Sequence, residues 1–329
     1  MTDYYLGVDI GNTKSLAVIA DADGNCLSMG RAGCGNHEAI GADGFASVMN
    51  DIVTQALTQS GVDRADIKGA GFGIAGYDWD SDLPLMDATI STLGLNCPCK
   101  VVNDCGIGLV AGASEGWGVV VSAGTSCNAA GRDRHGREGR LSGNGMTFGE
   151  YGGGWELVYS AIQQISRAWS KRGQETLLTD LFVQHCGAKD ATDLLEGLAR
   201  ERYRVRATDA PVVFEAVRQG DPVALATLHG IADGLADLAL GIVRQLELEN
   251  EQFEVVLSAS FFNGSPLTAE WLGEEVRKVA PGAQFVRLEA PPVAGGVLLG
   301  MEQVFSPSHE IREKTRTTSA ALLNAASDR

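Results

Sequence analysis

A strand–turn–strand pattern that occurs twice constrains the fold of this chain more than any other feature. In each copy, an apolar run enters a short turn with glycine and hydroxyl side chains, and a second apolar run follows. The two turns are Gly11-Asn12-Thr13-Lys14 and Gly124-Thr125-Ser126. A shift of 112 residues superposes Val8 on Val120, Thr13 on Thr125, Ala17 on Ala129, Asp21 on Asp133 and Gly24 on Gly136. The repetition predicts a duplicated β-hairpin unit.

Each predicted turn has the residue types of an anion-binding site. Glycine and asparagine accept the positive φ angles of a tight turn, which exposes consecutive backbone N–H groups. Thr13 and Lys14 add a hydroxyl and a cation to the first turn, and the second turn offers two hydroxyls. Asp9 precedes the first turn, and a carboxylate near phosphates requires a divalent metal between them. We therefore predict that both turns bind phosphate and that a metal binds at Asp9. The alternative is a pair of ordinary glycine turns, and the repetition of the whole pattern in the same register argues against it.

Length and composition limit the class of protein. The 329 residues suit two domains, or one large one, and suffice for a substantial core. A formal net charge of -16 argues against a nucleic-acid surface, which requires a basic stripe. Seven cysteines without metal-ligand spacing suggest reduced thiols and a cytoplasmic location. The start, Met1-Thr2-Asp3, lacks the features of a signal peptide, and we expect no apolar run of membrane-spanning length.

The order of the apolar runs predicts an α/β fold. Three β-prone runs are followed by alternating helical and strand patterns, which is typical of a mixed sheet with crossover helices. The same order restarts at residue 117, with long helices inserted between about residues 153 and 247. Gly71, Gly73 and Gly76 match the GxGxxG spacing of dinucleotide-binding folds. They lie inside an apolar run, whereas that motif opens a helix, so we interpret this segment as a buried strand.

Together these features resemble the acetate-kinase, sugar-kinase, heat-shock-70 and actin superfamily, and more narrowly the BadF/BadG/BcrA/BcrD ATPase family, which includes N-acetylglucosamine kinases. The resemblance covers about residues 4–305. Its motifs are Asp9-x-Gly11-x-Thr13-Lys14, Asn36-His37, Asn103-Asp104, Gly124-Thr125-Ser126, the glycine-rich stretch 143–154, and Gly295-Gly296. The resemblance implies two ribonuclease-H-like (actin-like ATPase) domains, with ATP and sugar in the cleft between them. The implied units are domains 1–115 and 116–306 and a C-terminal segment, 307–329, that frays or packs back on the first domain.

The resemblance also implies roles for individual residues. Asp9 would orient Mg²⁺, and Asp104 would bind the sugar and accept the proton of its attacking hydroxyl. The phosphates of ATP would be held by Gly11, Asn12, Thr13, Lys14, Gly124, Thr125 and Ser126. Adenine would approach the backbone at Gly295 and Gly296. The sugar pocket would be lined by Asn36, His37, Gly76, Tyr77, Asp78, Gly143, Asn144 and Glu150.

Two segments depart from the pattern that N-acetylglucosamine kinases share. In the pattern typical of those kinases, the pocket segment reads Gly-Trp-Gly and then Gly-Asp-Glu-Gly-Ser. At the corresponding places this chain has Gly143-Asn144-Gly145 and Gly149-Glu150-Tyr151-Gly152-Gly153. Loss of the tryptophan and an acid longer by one methylene would reshape the pocket around the sugar. After the strand at 253–257, Ser258-Ala259-Ser260 replaces a glycine pair. We expect the fold and phosphoryl transfer to survive these changes, and specificity for the acyl group stays open.

The leading hypothesis is an ATP-dependent kinase that phosphorylates the primary hydroxyl of N-acetylglucosamine or glucosamine, working with Mg²⁺ as a homodimer. We favour Asp104 as the base that such a reaction needs; the alternative is a plain N-cap of the helix that follows. A second hypothesis is an ATPase activator of a radical dehydratase or reductase, with Cys105 and Cys127 as ligands of a cluster between two subunits. A third is a non-catalytic sugar sensor.

Overall fold

The computed structural model describes residues 3–327, which form two mixed β-sheets and eleven α-helices. The strands of the first sheet are β1 (Tyr4–Ile10), β2 (Ser15–Asp21), β3 (Cys26–Ala32), β4 (Ile67–Ile74) and β5 (Cys99–Asn103). Those of the second are β6 (Gly118–Ala123), β7 (Cys127–Arg132), β8 (Glu138–Arg140), β9 (Phe253–Ser258) and β10 (Ala283–Arg287). The helices are α1 (His37–Ser60), α2 (Leu83–Ser91), α3 (Asp104–Gly112), α4 (Gly153–Trp169), α5 (Leu177–Cys186), α6 (Ala191–Ala199), α7 (Ala210–Arg218), α8 (Pro222–Gln245), α9 (Pro266–Val279), α10 (Val293–Glu302) and α11 (His309–Ser327).

The two sheets share one strand order, which confirms the predicted duplication and the pair of ribonuclease-H-like domains. The first sheet has the order β3-β2-β1-β4-β5, and the second has the order β8-β7-β6-β9-β10. In each sheet, the first three strands form an antiparallel meander. The last two strands run parallel to the first strand of the meander. We call the first sheet with the helices on it the first lobe, and the second sheet with its helices the second lobe.

The superposition by 112 residues holds after the hairpin turns but is wrong before them. Four residues separate the paired strand ends in the first hairpin, and three separate them in the second. Counting back from the turns, Val8 therefore corresponds to Val121 and not to Val120. The difference matters because alternate residues of a strand face opposite sides of the sheet. Val8 and Val121 pack in the two large cores, whereas Val120 packs against α3.

The turns that close the two hairpins are equivalent, as the sequence predicted. Asp21 and Asp133 each accept two backbone N–H groups on Oδ1, at 2.8–3.0 Å. Gly24 and Gly136 follow them, and both have a φ of +84°. That left-handed angle favours glycine. Each turn therefore needs one carboxylate and one glycine, and the sequence repeats both.

Two short helices, α3 and α10, join the lobes by crossing between them. Helix α3 follows the first sheet and packs on the second, while α10 follows the second sheet and packs on β1 and β4 of the first. Gly71 and Gly73 lie within the buried strand β4, as predicted, whereas Gly76 lies in the turn after it and has a φ of +84°. A Cβ at Gly71 would lie 2.2 Å from the carbonyl oxygen of Gly296 on α10. Glycine in β4 thus allows the close approach of α10.

Gly295 and Gly296, which the resemblance assigns to the adenine side, take part in this packing. A Cβ at Gly295 would lie 1.9 Å from the carbonyl oxygen of Ile107 on α3. A Cβ at Gly296 would lie 3.0 Å from the backbone nitrogen of Val8. Both glycines are buried. Their small size allows the close approach of α10 to α3 and to the first sheet.

The outer face of the second sheet is covered by helices inserted between β8 and β9. The longest of them, α8, is long and apolar enough by length and composition to cross a membrane, so the expectation that no segment reaches that length is wrong. Leu228, Leu235 and Ile242 of this helix are buried in the core of the second lobe. A core helix passes the same test, so the finding argues only weakly for a membrane.

The last helix, α11, packs back on β3 of the first sheet. Thr318 Oγ1 accepts the backbone N–H of Cys26 at 3.1 Å, and Arg316 donates to the carbonyl of Ala113. Helix α10 also lies on the first sheet. Helix α10, which lies inside the expected unit 116–306, therefore packs on the first lobe together with α11.

Candidate active site

The carboxyl ends of β1, β4 and β5 lie side by side at one edge of the first sheet, because these strands are parallel. Strand β1 leads into the first hairpin turn, and β5 leads directly into Asp104. The N–H of Ala75 donates to the carbonyl of Ile10 at 2.9 Å, which continues the β1–β4 pairing into the next loop. This edge brings together the first hairpin turn, the loop 75–79 and the N-terminus of α3.

Asp9 is buried near the end of β1, and its side-chain carboxylate forms no hydrogen bond or ion pair within residues 3–327. Burial first, and then the carboxylate of Asp104, raise the pKa of Asp9 to about 7, while Lys14 opposes the shift. A buried carboxylate without a partner is costly unless a cation binds it. In the described part of the chain, no cluster of three metal-binding side chains occurs. A Mg²⁺ ion fits this site if Asp9, water and the nucleotide phosphates share its coordination.

Asp104 is the first residue of α3 and lies near enough to Asp9 for their charges to interact. Burial raises the pKa of Asp104 to about 6, against the effect of the N–H of Cys105, which donates to Oδ1 at 2.9 Å. The carboxylate is therefore ionised at neutral pH and is a stronger base than an exposed aspartate. The N-cap of α3 is Asn103, whose Oδ1 accepts the same N–H at 3.0 Å. The cap role thus belongs mainly to Asn103.

Asn103 connects three segments of the site, and the sequence assigned it no role beyond its place in a motif. Nδ2 donates to Asp78 Oδ1 at 3.0 Å and to the carbonyl of Tyr77 at 3.2 Å. Nδ2 of Asn128, on β7 of the second lobe, donates to Asn103 Oδ1 at 3.4 Å. The only signal in the sequence was an asparagine at a strand end before an acid, since its partners are distant along the chain.

The side chain of Asp78 is surrounded by carboxylates. Burial contributes most to raising its pKa to about 6. The charges of four further carboxylates also raise the pKa, and these belong, in decreasing order, to Glu38, Asp104, Asp82 and Glu150. No lysine, arginine or histidine in residues 3–327 forms an ion pair with any of these five groups. This corner of the site is strongly negative, and a bound cation would stabilise it.

The first hairpin turn contacts the segment that precedes α1. Asn36 Nδ2 donates to Asn12 Oδ1 at 2.8 Å, and Asn36 Oδ1 caps α1 by accepting the N–H of Glu38. Gly76 has a φ of +84°, and a Cβ there would lie 2.5 Å from Asn36 Oδ1 and 3.0 Å from His37 Nδ1. The structure therefore brings Asn12, Asn36, His37 and Gly76 together, although the sequence separates them by up to 64 positions.

The second hairpin turn sits on the N-terminus of α4. The carbonyls of Gly124 and Thr125 accept N–H groups from the first turn of this helix, each at 2.9 Å. The donors are Gly154 and Trp155. Thr125 and Ser126 are exposed. The carbonyls of the turn thus face the helix, and Ser126 Oγ lies 3.3 Å from Oε1 of the buried Glu156.

Glu150, which the resemblance places in the lining of the sugar pocket, closes its own loop. Oε1 accepts both the N–H and the hydroxyl of Ser142 at 2.8 Å, and Oε2 accepts the N–H of Gly145 at 3.1 Å. Asn144 also bonds within the loop, since Nδ2 donates to the carbonyl of Ser142 at 2.8 Å. Both residues shape the loop 142–150, and their polar atoms are mostly engaged within it.

This loop meets the first lobe across the site. A Cβ at Gly143 would lie 3.4 Å from Asp78 Oδ1, so the second lobe reaches the acidic corner directly. Arg140 forms an ion pair with Asp80 at 2.6 Å, and its guanidinium lies 5.8 Å from the ring centre of Tyr77. A cavity of about 290 Å³ lies beneath these contacts, between α3 and β7, and is lined in part by Tyr77 and Arg140.

Ala259 adopts a backbone conformation that only glycine reaches easily. It follows β9, with a φ of +72° and a ψ of 172°. A Cβ at Gly124 would lie 3.7 Å from the Cβ of Ala259, so this residue lies beside the second hairpin turn. The segment in which alanine and serine replace a glycine pair has therefore kept a glycine conformation.

Most of the predicted site residues surround the junction of the two lobes. These are Asp9, Gly11, Asn12, Thr13, Lys14, Asn36, His37, Gly76, Tyr77, Asp78, Asp104, Gly124, Thr125, Ser126 and Gly143. Asn144 and Glu150 lie in the neighbouring loop. Gly295 and Gly296 lie where α10 packs on α3 and on the first sheet.

Comparison with known proteins agrees with this fold. A sequence model of the BadF/BadG/BcrA/BcrD ATPase family matches residues 6–300. An N-acetyl-D-glucosamine kinase of Dictyostelium discoideum is 24% identical over 312 residues, which cover 91% of this chain and 98% of that protein. An N-acetylmuramic acid/N-acetylglucosamine kinase of Clostridium acetobutylicum is 24% identical over 306 residues, covering 91% of this chain and 99% of its own length.

Solved structures show the same architecture. A Chromobacterium violaceum protein, provisionally named an N-acetylglucosamine kinase, superposes with a TM-score of 0.67 at 22% identity, over 90% of this chain and 98% of that one. A ROK family glucokinase from Streptomyces griseus, in complex with glucose and AMPPNP, has a TM-score of 0.56 at 20% identity, over 92% and 100% of the two chains. At these identities the likeness supports the fold alone.

Proposed function

We propose that this chain, which belongs to the BadF/BadG/BcrA/BcrD ATPase family, is an ATP-dependent carbohydrate kinase that phosphorylates the primary hydroxyl of an amino sugar. The position of Asp104 carries the proposal. This carboxylate lies beside Asp9 at the junction of two lobes, each of which presents an exposed hairpin turn. The names of both curated relatives support a sugar acceptor, and the AMPPNP-bound glucokinase supports ATP as the donor.

In the proposed reaction, Asp104 accepts the proton of the sugar hydroxyl as its oxygen attacks the γ-phosphorus. The new oxygen–phosphorus bond forms while the bond to the bridging oxygen breaks, and ADP leaves. A carboxylate whose pKa is about 6 suits this task, because it is ionised at neutral pH and still holds a proton better than an exposed aspartate. Asn103 caps α3 and thereby holds in place the helix that begins with Asp104.

The hairpin turns would neutralise and position the transferred phosphoryl group. Thr13 and Lys14 of the first turn and Thr125 of the second are exposed and can donate to phosphate oxygens. Phosphoryl transfer depends on such positioning and charge neutralisation more than on covalent chemistry. When bound at Asp9, Mg²⁺ would supply additional charge neutralisation for the phosphates. The Asp9 carboxylate would also become easier to ionise beside that ion.

The acidic corner around Asp78 supports an acceptor that carries a positive charge. Apart from the amide of Asn103, no side chain in the described residues donates a hydrogen bond to the Asp78 carboxylate. The protonated amine of glucosamine would complete this carboxylate's bonds and relieve its repulsion with Glu150. An N-acetyl group is neutral and would leave the repulsion in place. We therefore favour glucosamine over N-acetylglucosamine as the acceptor.

An ADP-release assay with a panel of sugars tests both parts of the proposal. The panel is glucosamine, N-acetylglucosamine, N-acetylmannosamine, N-acetylmuramic acid and glucose. We expect kcat/KM for glucosamine to exceed that for glucose about tenfold or more, the scale of a hydrogen bond to a charged group. A preference for N-acetylglucosamine would contradict the charged acceptor and leave the kinase intact. Absence of sugar-dependent ADP release across the panel would contradict the kinase itself.

The iron–sulfur activator receives no support from the structure. Cys105 and Cys127 are buried, with 6% and 5% of their surfaces exposed. Ligands of a cluster shared by two subunits would have to reach the surface. Purification without oxygen checks this point, since a colourless protein has no such cluster.

The homodimer and the cytoplasmic location remain proposals. The resemblance to the family implied the dimer, and the count of unpaired cysteines suggested a reducing compartment. All seven cysteines are free in the structure, which is compatible with that compartment. Light scattering coupled to gel filtration would measure the mass of the particle against the 34.6 kDa chain.

A further inference from the structure

Glu156 is buried beneath the second hairpin turn, in the first turn of α4. Only 2% of its surface is exposed. Ser126 Oγ lies 3.3 Å from Glu156 Oε1, whereas Oε2 is buried without a hydrogen-bond partner. No cation in residues 3–327 forms an ion pair with this carboxyl group. An ionised carboxylate in such a place is costly, and loss of the charge is the usual way to avoid the cost.

The protonation of Glu156 determines which way the Ser126 hydroxyl points. If the carboxyl group is ionised, it can only accept, so the Ser126 proton must point inward to it. The lone pairs of Ser126 then face the cleft, where they would repel a phosphate. If Glu156 is protonated, it can donate to Ser126 Oγ, and the Ser126 proton is free to point outward.

The surroundings favour the protonated form. Burial raises the pKa of Glu156, and the opposing hydrogen bonds come from its own backbone N–H and from Ser126. The thiol of Cys127 on β7 is also buried, and its pKa is raised to about 12, so it carries no charge at neutral pH. A short 3₁₀ helix, Ala207–Asp209, packs against α4, and its Asp209 is already paired with His185 at 3.1 Å.

We propose that Glu156 is a positioning residue that donates to Ser126 Oγ and thereby directs the Ser126 hydroxyl proton toward a nucleotide phosphate. The inference rests on the proposed function, because it assigns the second hairpin turn to ATP. Gly153 supports the same geometry: its φ is +88°, and a Cβ there would lie 2.7 Å from the carbonyl oxygen of Ser126. The backbone of Ser126 is therefore pressed against α4, and the side chain of Glu156 completes the contact.

Equilibrium binding of AMPPNP, followed by calorimetry, tests the inference without any sugar. Glu156→Met keeps the length of the side chain and removes its hydrogen bond, so we expect the Kd to rise about fivefold. Ser126→Ala changes an exposed residue and should raise the Kd by a similar factor. The double variant should be no worse than either single variant, because both remove one interaction. Glu175→Gln, at an exposed carboxylate, is the matched control and should leave the Kd unchanged.

Glu156→Gln separates positioning from a need for charge. Glutamine is neutral and can donate to Ser126, so we expect its Kd to lie within about twofold of the parent. A Kd for Glu156→Gln as weak as that of Glu156→Met would overturn the protonated carboxyl group. An unchanged Kd in Ser126→Ala would overturn the contact with nucleotide. Failure of the parent to phosphorylate any sugar would contradict the proposed function instead, since these binding measurements do not depend on turnover.

Discussion

Asn103 Nδ2 donates to Asp78 Oδ1 at 3.0 Å, while Asn103 Oδ1 caps the helix that begins with Asp104. One amide side chain thus positions both the proposed base and the carboxylate proposed to bind the acceptor. Asn128 of the second lobe also donates to this amide, at 3.4 Å. The two lobes therefore share a hydrogen-bond network at the site of the proposed reaction.

Replacement of Asn103 should impair the acceptor side of the reaction more than the nucleotide side. Asn103→Asp keeps an acceptor that can cap α3 but places a carboxylate against Asp78 where an amide donated. We expect kcat/KM for the sugar to fall about 100-fold, with the KM for ATP within about twofold of the parent. Asn128→Ala, which removes only the long bond, should cost less than about tenfold. Steady-state kinetics with either substrate varied would show the difference, and equal losses in the two variants would contradict the network.

Asp104→Asn should abolish turnover while leaving both substrates bound. Asparagine fills the same space and cannot accept the hydroxyl proton, so kcat should fall by at least about 100-fold. Calorimetric titration with AMPPNP and with the sugar should give dissociation constants close to those of the parent. Near-parental turnover would remove Asp104 from the mechanism.

Activity should fall as the pH is lowered through about 7 and then 6. Burial raises the pKa of Asp9 to about 7 and that of Asp104 to about 6, so each gains a proton in this range. A protonated Asp104 cannot act as the base, and a protonated Asp9 binds a metal ion poorly. With N-acetylglucosamine or glucose as the acceptor, neither of which carries an amine that titrates, profiles of kcat/KM between pH 5 and 9 should therefore rise to a plateau above pH 7. A profile that is flat down to pH 5 would contradict the roles of both carboxylates.

Asp9→Asn should make the protein more stable and inactive. The folded-state pKa of Asp9 is raised above its unfolded value of 3.8, so ionisation favours unfolding, and stability is lost as the pH rises toward 7. Asparagine removes that penalty, and we expect a gain of roughly 1–3 kcal/mol at pH 8 and a smaller gain at pH 5. Urea denaturation without added metal, at pH 8 and at pH 5, measures the free energy of unfolding of the parent and of the variant. Asp63→Asn, at an exposed carboxylate, is the control and should change stability little at either pH.

Ala259→Gly should stabilise the protein, contrary to the usual effect of glycine. The backbone of Ala259 has a φ of +72° and a ψ of 172°, where a Cβ is strained by about 1–3 kcal/mol. Glycine also increases the conformational entropy of the unfolded chain, which opposes this effect. We therefore expect the free energy of unfolding to rise by about 1 kcal/mol. Ala226→Gly, at an exposed position within α8, should instead lose about 1 kcal/mol. Equal losses in the two variants would show that Ala259 is not strained.

Local rules explain why much of the fold was predictable. The turns after β1 and β6 can be recognised by their glycine and hydroxyl side chains and by the apolar runs on either side. The closing turns repeat an aspartate and a glycine because each turn needs an acceptor and a left-handed residue. Such features depend on a few adjacent residues, so they can be recognised in the sequence without knowledge of the tertiary contacts. The position of Asp104 at the end of β5 followed from the same kind of pattern.

The contacts between distant segments were not predictable in this way. The three-residue turn of the second hairpin changed the register that a uniform shift suggested, because strand pairing and not sequence spacing sets which residues oppose each other. Gly295 and Gly296 looked like a ligand contact, and only the crossing of α10 with α3 shows that they serve packing. The bond from Asn103 to Asp78 and the buried carboxyl group of Glu156 likewise arise from packing.

The sequence by itself determined that this chain carries two hairpin units of one design, with an acid before the first turn and another after β5. Those features follow from backbone geometry that neighbouring residues impose. The tertiary structure alone decided how the units meet, which carboxylates share one buried corner, and which glycines are packing contacts. Burial and charge interactions depend on residues brought together by folding, and these interactions set the pKa values on which the proposed chemistry rests.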